Sequence, residues 1–250
     1  MFNYIKEIIL DTLFPIHCLF CKKYGCWICS HCFKKIIILS EQVCPYCEKN
    51  ISPAGRICQD CKNKFLKNNK DYPLDLLIVS TKYTQEGISR IIHYFKYNFI
   101  KDLGSPLAKI ISQAIISNNI SLPDLIIPVP LHPRRLRWRG FNQSEILAKK
   151  ISQNLTPGFQ IQVLSNALVR KKYTAAQMKI KNYQERQKNV KNIFVLNSNF
   201  DLKNLKDKTI LLIDDVSTTG ATLFECARIL KNCGAKKVYG AVIARQEIKK

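Results

Sequence analysis

The sequence predicts an α/β chain: a doubly wound parallel sheet preceded by a small cysteine-rich module. Three observations carry that prediction. Four apolar runs, at 76–79, 125–129, 210–213 and 238–243, read as strands buried on both faces, the pattern of parallel sheets. Helical periodicity fills the intervals at about 86–97, 103–118, 142–153 and 220–232. Nine of the eleven cysteines crowd between residues 18 and 61, mostly as closely spaced pairs.

Taken from the start, the opening MFNYIKEIILDTLFP is too short in apolar residues to span a bilayer and carries no cleavage site. Ile5, Ile8, Ile9, Thr12 and Leu13 share one face at helical spacing, so a short amphipathic helix is expected there. With no secretion signal, the clustered cysteines favour metal over disulfides. Cys18/Cys21, Cys29/Cys32, Cys44/Cys47 and Cys58/Cys61 form four CxxC pairs. Each pair turns two thiolates toward one metal, and two pairs complete the tetrahedral four-sulfur site that zinc prefers. Eight ligands make one or two structural zincs, as a double zinc ribbon, paired either sequentially or cross-braced. Cys26 is CxxC-spaced from Cys29 and leaves the first register open, with His17 and His31 as substitute ligands. A redox CxxC is the rival reading, but four pairs without a preceding strand resemble ribbons. Cys226 and Cys233 read as ordinary thiols of a later helix.

The run KNKFLKNNKDYP reads as a connector. Two domains are expected: residues 1–70, with the N-terminal helix and double ribbon, and residues 71–250. Across the whole chain 40 Lys and Arg face 18 Asp and Glu, a formal charge of +22. Such a balance favours polyanionic partners, whether nucleic acids, phosphorylated metabolites or acidic membranes, and does not choose among them.

The most informative stretch is ILLIDDVSTTGATLFECARIL, residues 210–230. A strand ends in two acids, passes through a Thr-Thr-Gly turn and opens a helix. Backbone N–H groups of Ser217, Thr218, Thr219, Gly220, Ala221 and Thr222 can cradle a phosphate at the helix N-terminus, where the dipole favours anions. Asp214 and Asp215 would repel that phosphate, so their partners are ribose hydroxyls or a bound Mg²⁺. A phosphorylated ribose satisfies both halves. The stretch closely resembles the 5-phosphoribosyl pyrophosphate (PRPP) signature of type I phosphoribosyltransferases, which implies that fold, the two aspartates on the ribose hydroxyls, the 217–222 loop on the 5′-phosphate, and Mg²⁺ bound with PRPP. After the strand LIIPVP comes LHPRRLRWRGFNQSE. Its His132, Arg134, Arg135, Arg137 and Arg139 form a loop suited to pyrophosphate through guanidinium forks, or to nucleic acid, with Trp138 and Phe141 as stacking platforms. Lys96 is a further candidate phosphate contact, and His132 the best candidate for a general base.

PVPLHPRRLRWRGFNQSE, the four CxxC pairs and IDDVSTTGAT together resemble the ComF family of competence-associated phosphoribosyltransferase-like proteins, over nearly the whole chain. HYFKY at 93–97 parallels its LKY element, and Thr174, Gln177, Arg186, Asn189 and Phe194 parallel a T–Q–R–N–F series. The chain departs from the pattern at Asn98 and Phe99, where glycines often follow LKY. The resemblance implies a cytoplasmic protein that binds PRPP and single-stranded DNA during natural transformation, with DNA-uptake or recombination proteins as partners. The alternative is an active phosphoribosyltransferase of nucleotide metabolism using a nitrogen acceptor. Purine-salvage relatives carry an acid where this chain has Thr218, which argues against that branch.

Overall fold

A computed structural model describes residues 15–173 and 192–246. The expected N-terminal amphipathic helix, and Thr174, Gln177, Arg186 and Asn189, lie outside the described residues. The cysteine module contributes the short helix α1 (Ser30–Lys34) and α2 (Gln59–Lys67). Beyond it come β1 (Leu76–Lys82), α3 (Ile88–Tyr97), α4 (Gly104–Ser117), β2 (Leu125–Pro128), α5 (Pro133–Arg139), α6 (Gln143–Leu155) and β3 (Gln162–Val163). The chain continues through β4 (Leu168–Arg170), β5 (Phe194–Leu196), β6 (Thr209–Ile213), β7 (Val216–Ser217), α7 (Ala221–Asn232) and β8 (Lys237–Arg245).

The main sheet runs β1-β8-β6-β2-β3, all parallel, with β7 also paired to β8. Strand side chains alternate between faces, and both faces are buried. Leu76, Ile78, Ile126, Leu211 and Ile213 pack with α3, α4 and α6 residues such as Ile91, Ile110 and Ile151. Leu77, Val79, Ile127, Ile210 and Leu212 pack on α7 through Leu223, Ala227 and Leu230. This is the doubly wound sheet expected from the continuous apolar runs, and all four predicted strands and all four predicted helices are present. The antiparallel β4–β5 pair was not anticipated; three residues a side give too short a pattern to read.

The module lies against the free side of β1. The Gln42 side chain takes Val79 as a backbone strand would: its Oε1 accepts from Val79 N at 2.9 Å and its Nε2 donates to Val79 O at 3.1 Å. Leu39 N donates to Ser80 O and Ile57 N to Asp75 O. Gly55, at φ +64, lies so close that a Cβ there would sit 2.1 Å from Leu77 O, so only glycine fits. The stretch expected as a connector is helical as far as Lys67, because Phe65 packs edge-on against Tyr46, at 5.0 Å, and near Tyr72. Among the described residues no helix is long and apolar enough to cross a membrane.

Candidate functional site

In a parallel sheet ligands gather at the carboxyl ends of the strands, and there the chemistry-bearing residues meet. A cavity of about 150 Å³ lies beyond the ends of β2 and β6, with Asp214 and Asp215 against it. Lys96 from α3, Arg135 and Arg139 from α5, Arg170 from β4, Thr218 from the loop before α7 and Thr222 from its first turn line it too, with the hydroxyls of Ser144, Tyr83 and Tyr97. Four cations and two acids in so small a space make a strongly anion-attracting pocket with one anionic corner.

The corner is tightly organised. Asp214 Oδ1 accepts from Ser144 Oγ at 3.1 Å and from Asp215 N at 2.9 Å. Asp215 Oδ1 accepts from Val216 N and lies 2.8 Å from Lys96 Nζ. Burial first, and then the neighbouring Asp215 charge, hold the Asp214 carboxyl up to about 7, against the pull of Lys96 and its hydrogen bonds. The turn beyond closes on Gly220, at φ +73, which has no side chain to cap α7, and only Thr219 Oγ1 accepts from the Ala221 N–H, at 3.4 Å. An α-helix leaves its first N–H groups without partners inside the helix, and beyond Ala221 those of α7 open toward the loop. Ser217 Oγ and Arg139 Nε are buried with no hydrogen-bond partner among the described residues. Buried polar atoms of that kind call for an oxygen-rich ligand.

The arginine segment, expected as a loop, is the helix α5. His132 caps it, its Nδ1 accepting from Arg134 N at 3.2 Å, Pro133 occupies the first turn, and Gly140, at φ +77, ends it. Helical spacing then sorts the arginines. Arg135 and Arg139, four apart, enter the cavity; Arg134 and Arg137 face solvent. His132 does not line the cavity, and burial, with Arg170 and Arg134 nearby, lowers its pKa. Phe141, expected as a stacking platform, is buried against Phe95, 5.8 Å away. Trp138 stays 60% exposed and is joined by Phe99, whose ring meets it edge-on at 5.1 Å, and by Tyr97. At Phe99, where the sequence departs from the glycine pattern, the backbone is left-handed, at φ +58. A bulky residue costs on the order of 1–3 kcal/mol there. What it gains is its contact with Trp138 on the exposed shelf.

Arg170 and Ser144 went unassigned in the sequence. The signal for Arg170 was a basic residue closing the apolar run ALVR, and for Ser144 a hydroxyl in the first turn of a helix that faces β6.

The eight paired cysteines form two groups. Cys18, Cys21, Cys29 and Cys32 make one, and Cys44, Cys47, Cys58 and Cys61 the other, each with its sulfurs all within 4.8 Å of one another. The pairing is sequential, and Cys26, His17 and His31 belong to neither group. Cys21 and Cys29 sulfurs stand 3.6 Å apart and Cys47 and Cys58 sulfurs 3.9 Å apart. A tetrahedron with Zn–S bonds of about 2.3 Å has edges of about 3.8 Å. Backbone N–H groups of Cys29 and Cys58 donate to the Cys18 and Cys44 sulfurs, and Asn50 Nδ2 to Cys58. Burial opposes ionisation of Cys18, yet donors from Cys21, Cys29 and Phe20 bring it down to about 6; burial and the adjoining sulfurs push Cys32 up to about 12. Thiols so close cannot all shed their protons without a cation among them, and a thiolate-preferring divalent metal meets that need.

The phosphoribosyl transferase domain family matches residues 142–250, and the double zinc ribbon domain family matches residues 9–64. Competence protein F of Haemophilus influenzae is 30% identical over 244 residues, covering 94% of this chain and 99% of the relative. DNA utilization protein YhgH of Escherichia coli K12 is 30% identical over 219 residues, 86% of this chain and 88% of the relative. Competence protein ComFC of Bacillus subtilis is 27% identical over 223 residues, 83% and 79% respectively.

Proposed function

The chain belongs to the ComF family, and from that premise we propose that it binds PRPP with Mg²⁺ at the carboxyl end of its sheet and single-stranded DNA on the adjoining aromatic shelf. The observation that carries the reading is the convergence of the Asp214–Asp215 corner and the four cations around one cavity, which shares Asp214, Thr218 and Thr222 with the small pocket lined by Ser217, Gly220 and Ala221. The acids suit ribose hydroxyls and Mg²⁺, the loop suits a 5′-phosphate, and Arg135, Arg139 and Arg170 suit pyrophosphate. The biological role is DNA uptake in competence, on the cytoplasmic side, alongside DNA-uptake or recombination proteins. Residues 1–70 form the zinc-ribbon unit and residues 71–250 the phosphoribosyltransferase-like unit. Each cysteine group holds a structural zinc, with no open coordination position for chemistry.

Calorimetric titration with PRPP and Mg²⁺ tests the site: saturable one-to-one binding is expected, and heat indistinguishable from dilution would reject it. Release of pyrophosphate on adding nitrogen acceptors would mark a working transferase. The titration also has a pH signature. Asp214 must be ionised to hold a cation or two ribose hydroxyls, and its carboxyl is held up to about 7. Binding therefore weakens as pH falls through 7, by about tenfold per unit below it. An affinity flat between pH 8 and 6 rules out a cation or ribose partner for that carboxylate.

The shelf has its own test. Trp138, Phe99 and the 52% exposed Tyr173 present rings beside exposed Arg134 and Arg137. Arg134 and Arg135 also lie 5.5 and 5.7 Å from the Tyr173 ring. Stacking on one aromatic is worth about 1–3 kcal/mol per base. Trp138→Ala should therefore weaken oligo-dT binding by roughly five- to 150-fold, read by fluorescence anisotropy, while PRPP affinity is retained. Oligonucleotide affinity unchanged in that variant places the DNA elsewhere.

A further inference from the structure

One turn of the second cysteine group reaches the phosphate loop from two sides, each time through one intervening residue. Tyr46 and Glu48 belong to the knuckle begun by Cys44 and Cys47, where Glu48 N donates to Cys44 O at 2.9 Å and Glu48 is left-handed, at φ +57. Tyr46 stacks flat on Phe224 of α7, with centroids 4.8 Å apart and planes at 13°. Its hydroxyl is fixed between Leu74 N and Leu74 O, each at 2.9 Å. Phe224 lies directly beneath the phosphate loop: a Cβ on Gly220 would come 2.9 Å from Phe224 Cε2. On the other side Glu48 Oε1 stands 3.9 Å from Arg245 Nη1, with both side chains largely buried. Arg245 is the register partner of Ser217 in the β7–β8 pair, and the next residue, Gln246, donates its N–H to Ser217 O at 2.8 Å. Two contact chains, Tyr46–Phe224–Gly220 and Glu48–Arg245–Ser217, thus link one knuckle to both ends of one loop.

We propose that the knuckle between Cys44 and Cys47 sets the shape of the Ser217-to-Thr222 loop, and through it anion binding at the first turn of α7. The proposal rests on the phosphoribosyl reading only for the identity of the anion. Tyr46 and Glu48 are positioning residues, touching the loop through Phe224 and Arg245. The linkage is reciprocal: whatever orders the loop also favours the native turn of the knuckle. The first cysteine group touches the sheet domain elsewhere, at the start of α3, where Phe20 packs against Gly87 and Arg90 donates to Leu19 O.

The test is hydrogen exchange of the zinc-loaded full chain, followed by mass spectrometry of peptides spanning the loop. A Tyr46→Leu, Glu48→Gln double variant, which keeps all eight cysteines, should exchange its 217–222 amides about tenfold faster and bind PRPP with Mg²⁺ about tenfold more weakly, within the usual span of coupling between sites. Exchange in β2, β6 and α4 should not change. Tyr46→Phe made alone, which keeps the ring stack and Glu48, should leave loop exchange near native. Unchanged loop exchange in the double variant, or exchange raised across the whole domain, overturns the proposal. If the wild-type protein binds no PRPP, the functional reading fails by itself, and the exchange measurement still decides whether knuckle and loop are coupled.

Discussion

Asp214→Asn with Asp215→Asn is expected to abolish measurable PRPP–Mg²⁺ binding while leaving the fold and the zinc content intact. The two amides keep the shape of the carboxylates, so Ser144 Oγ and the Val216 N–H retain acceptors. What disappears is the negative corner. Charge-assisted hydrogen bonds are worth about 1.5–3 kcal/mol each, so losing two should weaken binding by at least about a hundredfold. The same substitution separates this site from a generic anion sink. Lys96, now without its 2.8 Å partner, joins Arg135, Arg139 and Arg170 in an uncompensated cationic pocket. Inorganic pyrophosphate should then bind as well as before or more tightly. PRPP binding undiminished by the double substitution would dismiss the ribose assignment, and parallel loss of pyrophosphate would point to a collapsed pocket.

The second large effect concerns the metal. Cys44→Ser with Cys47→Ser removes half of one four-sulfur group, and the zinc measured per chain should fall from two to one. Structural zinc supplies apparent binding free energy of about 10–16 kcal/mol in small ribbon-like modules, and that energy is folding energy. Around this group Ile57, Tyr46, Phe65 and Tyr72 form only a small cluster, too small to hold the turn unaided. A separate early unfolding transition should therefore appear on heating, ahead of the sheet domain. Unchanged stoichiometry by elemental analysis would refute the ligand role of that pair.

What the sequence disclosed and what it hid divide along one physical line. Strands at 76–79 and 210–213 were legible because parallel strands buried on both faces need no alternation, and Asp214, Asp215 and the Thr-Thr-Gly turn because adjacent acids before a glycine have few other uses. The grouping of the cysteines was not legible. CxxC spacing fixes which thiols share a turn, whereas the choice of partner turn depends on how residues 22–28 and 48–57 fold back. The arginine segment was read by composition alone, and a seven-residue helix between a proline and a glycine was missed, although His132, Pro133 and Gly140 were its signals. That miss mattered, since only a helix directs Arg135 and Arg139 inward and leaves Trp138 outside. Arg170 reached the site through a β-hairpin whose strands are separated by more than twenty residues, a distance local patterns do not cross.

The position of Gln42 has a consequence for solubility. A sheet that ends in a strand offers unpaired backbone rungs to any other extended chain, and natural proteins hide such margins. Here β1 is one of the two marginal strands, and its outer rungs are met by a glutamine side chain, by Leu39 N and by an isolated bridge between Arg56 and Leu76. The cover is made from Leu39 and Gln42, before the second cysteine group, and from Arg56 and Ile57, inside it, where a bound zinc would hold the turn. Stripping the metal would thus do more than loosen a small module: it would uncover a sticky sheet margin, and self-association would follow from the same event that empties the site.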